Sequence, residues 1–530
     1  MSFDLIIKNA RIYDGTRTPW FRGDVGVTGG KIEYIGKLPP DIVATEVIDA
    51  NNSVLCPGFI DIHAHSDFML LRDSVMLSKL SQGVTTQIIG MCGVSPAPVS
   101  EETLDLLDQY VGFTKAGAKP DWNWRSVGDW LSVLEKLDLG TNVGTYVGQG
   151  TIRIAVMGFA DRNPTTGELS AMKQLVEDSM EQGAVGLSSG LIYPPGVYSS
   201  RDEIISICKG LMNKHGIYES HVRSESYGVV DGVKETIEVG ERLGIPVQIS
   251  HHKAAGKDNW GLVKLTLDEV EKARARGVDI TVNQYPYTAC STTLRAILPP
   301  WVHEGGVGKL IERLRNTDYR KRIKEEIKTQ TSWENFIKHC GNYNGVYLLY
   351  TPQTPEFEGK SLKEAAEITG KDELDTAFDI IIENQGLDTA GYEVMSEEDV
   401  KYVLKHPSVI VASDSIPAAP GAKSHPRAFG TNPRVLGKYV REEKTLSMEE
   451  AIWKMTGFPA ARMGLWTKGL IRIGMDADIV LFDPETVKDQ ATFADPFKEA
   501  QGIEYVIVCG KIVVKEGKYT GISAGKVIRK

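Results

Sequence analysis

The stretch Pro57-Gly58-Phe59-Ile60-Asp61-Ile62-His63-Ala64-His65 is a short apolar strand that runs out into two imidazoles. Side chains two residues apart on a strand project to the same side, so His63 and His65 can face one cation. The triplet is short, and alone it describes equally well two polar residues where a strand meets its loop. Beyond it, brief apolar β-rich segments alternate with longer helical patterns, which implies parallel strands joined by helical crossovers. Eight such strands can be counted, at 58–62, 84–90, 142–147, 184–187, 216–220, 246–250, 279–284 and 408–412. They predict an α/β fold built on a (β/α)8, TIM-like barrel. The interval between the last two far exceeds a crossover, and its 309–328 stretch is charged and helical, so an insertion or lid is expected at about 291–405.

Outside the barrel pattern the texture changes to short alternating strands with Gly and Asn at the turns, first at the start of the chain and again near its end. The two ends are therefore expected to pair into a small β-sandwich, 1–56 with 469–530, and the barrel to span 57–468. A chain of 530 residues suits one large barrel with a smaller companion. Its net charge of −10 is spread without a basic stripe, which excludes nucleic acid and an anionic membrane as partners and leaves a small molecule. Residues 1–13 have no basic leader, no stretch reaches the ~20 apolar residues of a membrane span, and six cysteines are scattered along the chain. That pattern predicts a cytoplasmic protein with buried thiols. The sequence carries no signature of an oligomeric state.

The remaining candidate donors fall at the carboxyl ends of predicted strands. Cys92 lies just past the second, His221 follows the fifth and His251 the sixth. Barrel enzymes build their active sites on that face, and neutral imidazole and thiolate are suitable zinc donors. Singly, each has a plainer reading: His221 as a loop cap, His251 or its neighbour His252 as a core histidine, Cys92 as a small buried hydrophobe. Together they point to a metal site. Asp414, after the eighth strand, is the candidate catalytic acid and base, with a helix cap as its alternative.

These residues resemble the amidohydrolase superfamily, and within it the N-acyl-D-amino-acid deacylase (D-aminoacylase) branch. The resemblance runs through PGFIDIHAHSD, Gly90-Met91-Cys92-Gly93, Ser188 to Gly196, Ser220-His221-Val222-Arg223-Ser224-Glu225, Ser250-His251-His252-Lys253, Gln284-Tyr285-Pro286-Tyr287, Ser413-Asp414, His425-Pro426-Arg427 and the closing GLIRIGMDADI. It implies one tight Zn2+ site at Cys92, His221 and His251, a second, weaker one involving His63 and His65, and Asp414 as the catalytic carboxylate. It also implies that Arg427, Lys253, Tyr193, Tyr285 and Ser291 contact the substrate, against plainer roles in surface pairing or packing. The implied reaction is zinc-dependent hydrolysis of N-acyl-D-amino acids to a carboxylate and a free D-amino acid. The D preference comes from the resemblance alone. Many cyclic-amide hydrolases of the superfamily carry a metal-bridging lysine after the fourth strand, whereas this chain reads Gly186-Leu187-Ser188-Ser189. A cyclic amidase or dipeptidase of the same superfamily is the alternative enzyme, and a non-catalytic scaffold of amidohydrolase shape the alternative from another class. One departure from the family pattern is Ser415, where Gly is common.

Overall fold

Short runs rich in Val, Ile and Thr that are buried on both faces suit central strands, and each of the eight candidate segments overlaps one. The computed structural model describes residues 2–39, 41–329, 333–416, 418 and 421–530. The first three strands, Phe59–Asp61, Val84–Ile89 and Asn142–Thr145, pair in parallel. The third resumes after Tyr146 as Val147–Gly148, which starts a second parallel set with Gly186–Gly190, Ile217–His221, Val247–Ile249, Ile280–Gln284 and Val409–Val411. The ends of the series meet: the Asp414 amide donates to the His63 carbonyl (2.9 Å), and the His65 amide to that of Ser415 (3.0 Å). These bonds bring the predicted catalytic carboxylate beside the His-Ala-His triplet.

The crossover helices owe their position to one apolar stripe each. Val229–Leu243 buries Val229, Val233, Ile237 and Gly240, spaced three and four residues apart. It stops at Gly244, whose φ of +63° suits glycine, and the Gly244 amide returns to the Gly240 carbonyl. Thr166–Glu181 begins with a capping box between Thr165 and Glu168, a device worth about 1 kcal/mol.

The fourth strand needs a correction. It was expected at 184–187 and runs instead from Gly186 to Gly190, with Ser188 and Ser189 fully buried. Serine reads as loop in a periodicity argument, but these hydroxyls are satisfied inside: Ser188 donates to the Gly90 carbonyl (2.6 Å), and Ser189 pairs with the Tyr218 hydroxyl (2.8 Å).

Both chain ends enter one nine-stranded sheet. From the start come Ser2–Ile12, Phe21–Thr28, Lys31–Gly36, Val43–Asp49 and Val54–Pro57; from the end come Ile479–Phe482, Ile503–Val508, Lys511–Lys515 and Lys518–Tyr519. The seam is the antiparallel pair Val54–Pro57 with Ile479–Phe482. Between the seventh and eighth central strands lies a small antiparallel sheet of Ala289–Thr292, Thr389–Glu393 and Val346–Tyr350, with helices including Val307–Arg315, Thr317–Thr329 and Glu373–Glu383. Among the described residues no helix is long and apolar enough to cross a membrane, and all six cysteines are free thiols.

Candidate active site

Three of the predicted site residues, Cys92, His251 and Asp414, have left-handed backbones, with φ of +53°, +30° and +50°. Such a conformation costs an ordinary residue roughly 1–2 kcal/mol. Strain of this kind collects where a strand must turn a side chain sharply, and here each turn follows a central strand. The donors converge as a result. Cys92 Sγ lies 3.3 Å from His63 Nε2 and 3.3 Å from His251 Nε2. Asp414 Oδ1 lies 3.4 Å from His63 Nε2 and 3.3 Å from His65 Nε2.

Two groups of buried donors have all their ligand atoms within 4.8 Å of one another: His63, His65, Cys92 and Asp414, and Cys92, His221 and His251. Cys92 belongs to both. A tetrahedral zinc bonded at about 2.0–2.3 Å sets its ligand atoms roughly 3.3–3.8 Å apart, so the sulfur–nitrogen separations already match. His221 supplies a second test: it is buried, and neither ring nitrogen has a hydrogen-bond partner. A polar ring without a hydrogen bond in the interior is costly unless it is a ligand, and Glu225 Oε2 stands 3.6 Å from His221 Nε2, beyond hydrogen-bond reach. The protonation states agree. Burial pulls His221 down to about 4 and holds His251 well below 6.5, so both rings are neutral at pH 7. Burial, together with Asp414, Glu219 and Glu225, pushes the Cys92 thiol well above 9, so the thiolate forms here only against a cation.

Carboxylates stand behind two of the donors. His63 Nδ1 pairs with Glu219 Oε1 at 2.8 Å, and His251 Nδ1 with Glu225 Oε1 at 2.9 Å. With Nδ1–H directed at Glu219, the His63 ring keeps its Nε2 lone pair for the mouth, whereas His251 Nδ1 also meets Lys253 Nζ at 2.8 Å. Lys253 Nζ reaches the same Glu225 oxygen at 2.5 Å. Against burial, which raises it, Glu225 is held well below 4.5 by Lys253, His221 and His251. Neither glutamate was singled out from the sequence, although both leave a signal there. Glu219 stands two residues before His221 on one strand and so shares its inward side, and Glu225 lies within the motif that contains His221.

A cavity is lined by His65, Cys92, His221, His251 and Asp414 together with Lys253, Tyr193 and Ser291. Of the five predicted substrate residues, these last three reach it. Tyr193 accepts a hydrogen bond from Thr292 Oγ1 (3.0 Å) and sets its ring 5.0 Å from that of His221. Arg427 and Tyr285 do not line it. Arg427 is fully buried, with Nη1 2.8 Å from Asp414 Oδ2 and Nη2 donating to the Ser291 carbonyl at 3.2 Å. Tyr285 lies under the guanidinium, 4.6 Å from ring centre to charge, and its hydroxyl contacts the Met395 sulfur. Against burial, which raises it, Arg427 and His251 hold the Asp414 carboxyl well below 3.8.

Phe113, Tyr193, Thr292 and Phe336 also line a neighbouring chamber. Its walls are mainly apolar, among them Val94, Phe159, Ile192, Leu298 and Trp333. The cation on its wall, Arg295, donates through Nη2 to the Tyr110 carbonyl at 3.4 Å, lies in the field of Asp388, and keeps Nη1 buried without a hydrogen-bond partner.

Comparison with known proteins agrees with this geometry. The pattern of the amidohydrolase family matches residues 46–514. The chain is 37% identical to the D-aminoacylase of Alcaligenes xylosoxydans xylosoxydans, covering 99% of this chain and 97% of that protein. It is 36% identical to the N-acyl-D-aspartate deacylase of the same organism, over 98% and 93% of the two. Its fold superposes on the crystal structure of the Bordetella bronchiseptica N-acyl-D-glutamate deacylase with a TM-score of 0.85, 30% identity and full coverage of both chains. That structure contains zinc and a phosphonate mimic of the tetrahedral intermediate.

Proposed function

This chain belongs to the amidohydrolase family, and from that premise we propose that it hydrolyses the amide bond of N-acyl-D-amino acids, using zinc. The observation that carries the proposal is the pair of buried donor groups that share Cys92, one of which includes Asp414. Cys92, His221 and His251 would hold the tight ion, and His63 and His65 a second, weaker one. When bound, zinc supplies Lewis acidity, which polarises a carbonyl and makes water a nucleophile near neutral pH.

The chain's own residues do the rest. Asp414, ionised at neutral pH, accepts the proton that water loses as its oxygen attacks the acyl carbon. It returns that proton to the nitrogen as the carbon–nitrogen bond breaks, so a carboxylate and a free amine leave. Arg427 holds Asp414 from behind. Lys253 offers an ammonium for the substrate's carboxylate, and Tyr193 and Ser291 meet its amide. Ser188 and Ser189, in place of a bridging lysine, favour a linear amide over a cyclic one.

The D configuration follows the D-aminoacylase and D-aspartate deacylase relatives. The mainly apolar chamber favours apolar side chains or acyl groups. On the same reading, 57–468 forms a (β/α)8 barrel with an insertion at about 291–405, supported by the parallel series and its meeting ends. Residues 1–56 and 469–530 form a small β-sandwich, supported by one apolar layer that contains Leu5, Val25, Ile479 and Leu481. The six free thiols favour a cytoplasmic setting.

The test is a panel of N-acetyl-D-amino acids, their L-enantiomers, hydantoins and dipeptides, assayed on zinc-loaded protein with amine release as the signal. Turnover confined to the D-series supports the proposal. Turnover confined to hydantoins or dipeptides, or none at all, removes it.

A further inference from the structure

Below the metal donors, between the first and last central strands, sits a buried ion pair that bond cleavage does not use. Lys79, from the short helix Leu77–Leu80, and Asp61, at the end of Phe59–Asp61, are 1% and 2% exposed. Lys79 Nζ donates to Asp61 Oδ2 (2.6 Å), Ser415 Oγ (2.7 Å) and Ser413 Oγ (3.0 Å), which uses all three of its N–H groups. Asp61 Oδ1 accepts from the amides of Ser413 (2.9 Å) and His63 (3.3 Å), and Ser413 Oγ donates to Asp61 Oδ2 (2.5 Å). The cluster thus grips the residues on both sides of Asp414, and through Asp61 it grips the start of the His-Ala-His turn.

Burying two charges buys little stability, since their desolvation offsets most of the attraction and an apolar pair of equal volume often serves as well. What such a pair does supply is direction: each bond has a defined length and angle, and here the bonds converge on the serines that flank a left-handed residue. Asp414, at φ +50°, would relax toward an ordinary conformation if its neighbours were released. Relaxation would carry its carboxylate away from His63 and His65.

We propose that Lys79, with Ser415 and Asp61, is a positioning device that holds Asp414 in register with the His-Ala-His donors. The inference rests on the reading of Asp414 as the group that moves the proton. Lys79 touches no reacting atom; it acts through the serines.

The experiment compares wild type, Lys79→Met and Ser415→Ala as zinc-loaded holoenzymes, measuring kcat, KM, zinc content and the crystal structure of each. Misplacing a catalytic group by about 1 Å can cost about a hundredfold in rate. The expected result is a kcat lower by about tenfold in Ser415→Ala and by about a hundredfold in Lys79→Met, with KM and zinc content nearly unchanged. Both structures should show the Asp414 carboxylate displaced from His63 and His65. Because Lys79→Met leaves Asp61 unpaired and risks misfolding, Ser415→Ala, which removes one acceptor, decides alone if the other variant cannot be isolated. An Asp414 carboxylate that stays in place in the variant structures overturns the proposal, as does loss of zinc in step with kcat. If wild type itself cleaves no N-acyl-D-amino acid, the proposed reaction fails, and the structures still decide the positioning claim.

Discussion

Replacing Asp414 by Asn removes one negative charge and one proton acceptor from a site where both effects can be measured separately. The carboxylate lies 2.8 Å from Arg427 Nη1, and that guanidinium is fully buried. Breaking a buried pair of this kind leaves a charge uncompensated and costs about 3–5 kcal/mol of stability. Asp414 is not a member of the group Cys92, His221 and His251, so the tight ion should remain. General acid–base catalysis by one side chain is worth about 10²–10⁴ in rate, or about 3–5 kcal/mol of barrier. The expected outcome is a less stable protein that keeps one zinc and loses two to four decades in kcat. The assay is the initial rate of amine release from an N-acetyl-D-amino acid, normalised to folded protein, with zinc measured by elemental analysis of the same sample. A kcat within tenfold of wild type, at full zinc content, would show that Asp414 moves no proton in the rate-limiting step and would refute the mechanism.

Cys92→Ala or His221→Ala should abolish tight zinc binding and activity together; retention of stoichiometric zinc in either variant would argue against that donor set. Arg427→Met should lower kcat more than it raises KM, because the cation serves Asp414, whereas a mainly raised KM would return Arg427 to the substrate's carboxylate. Ala296→Trp, which fills the apolar chamber, should raise KM steeply for bulky apolar substrates while leaving N-acetyl-D-alanine nearly unaffected; equal effects on both would place the bulky group elsewhere. Lys454, buried beneath the last central strand with Nζ donating to the carbonyls of His406 and Val409, has its pKa lowered by burial to about 7 from 10.5. Between those values the unfolded chain binds the extra proton, so the lysine's penalty is full below pH 7 and fades as pH rises toward 10.5. The melting temperature of Lys454→Met relative to wild type should therefore be more favourable at pH 6 than at pH 9.5, and a difference that is flat with pH would contradict the burial argument.

What the sequence determines here is position along strands. Alternation of apolar segments with helical stretches locates eight central strands, and the period of two puts His63 and His65 on one side. The place of Cys92, His221, His251 and Asp414 after successive strands follows from that count, and the motifs add the family. Polar residues inside the parallel series were harder to read, because a strand buried on both faces has no alternation to mark its end; Ser188 and Ser189 look like loop and are strand. Partnership was beyond reach. His63 meets Glu219 across 156 residues, Arg427 turns to Asp414, and Lys79 reaches serines more than 330 positions away. Bonds between side chains so far apart leave no local pattern, since each end looks like any buried polar residue until the chain has closed. Only the folded arrangement, with strand ends turned inward by left-handed backbones and charges paired where water is excluded, decides which group is a ligand, which holds a proton and which keeps the others in place.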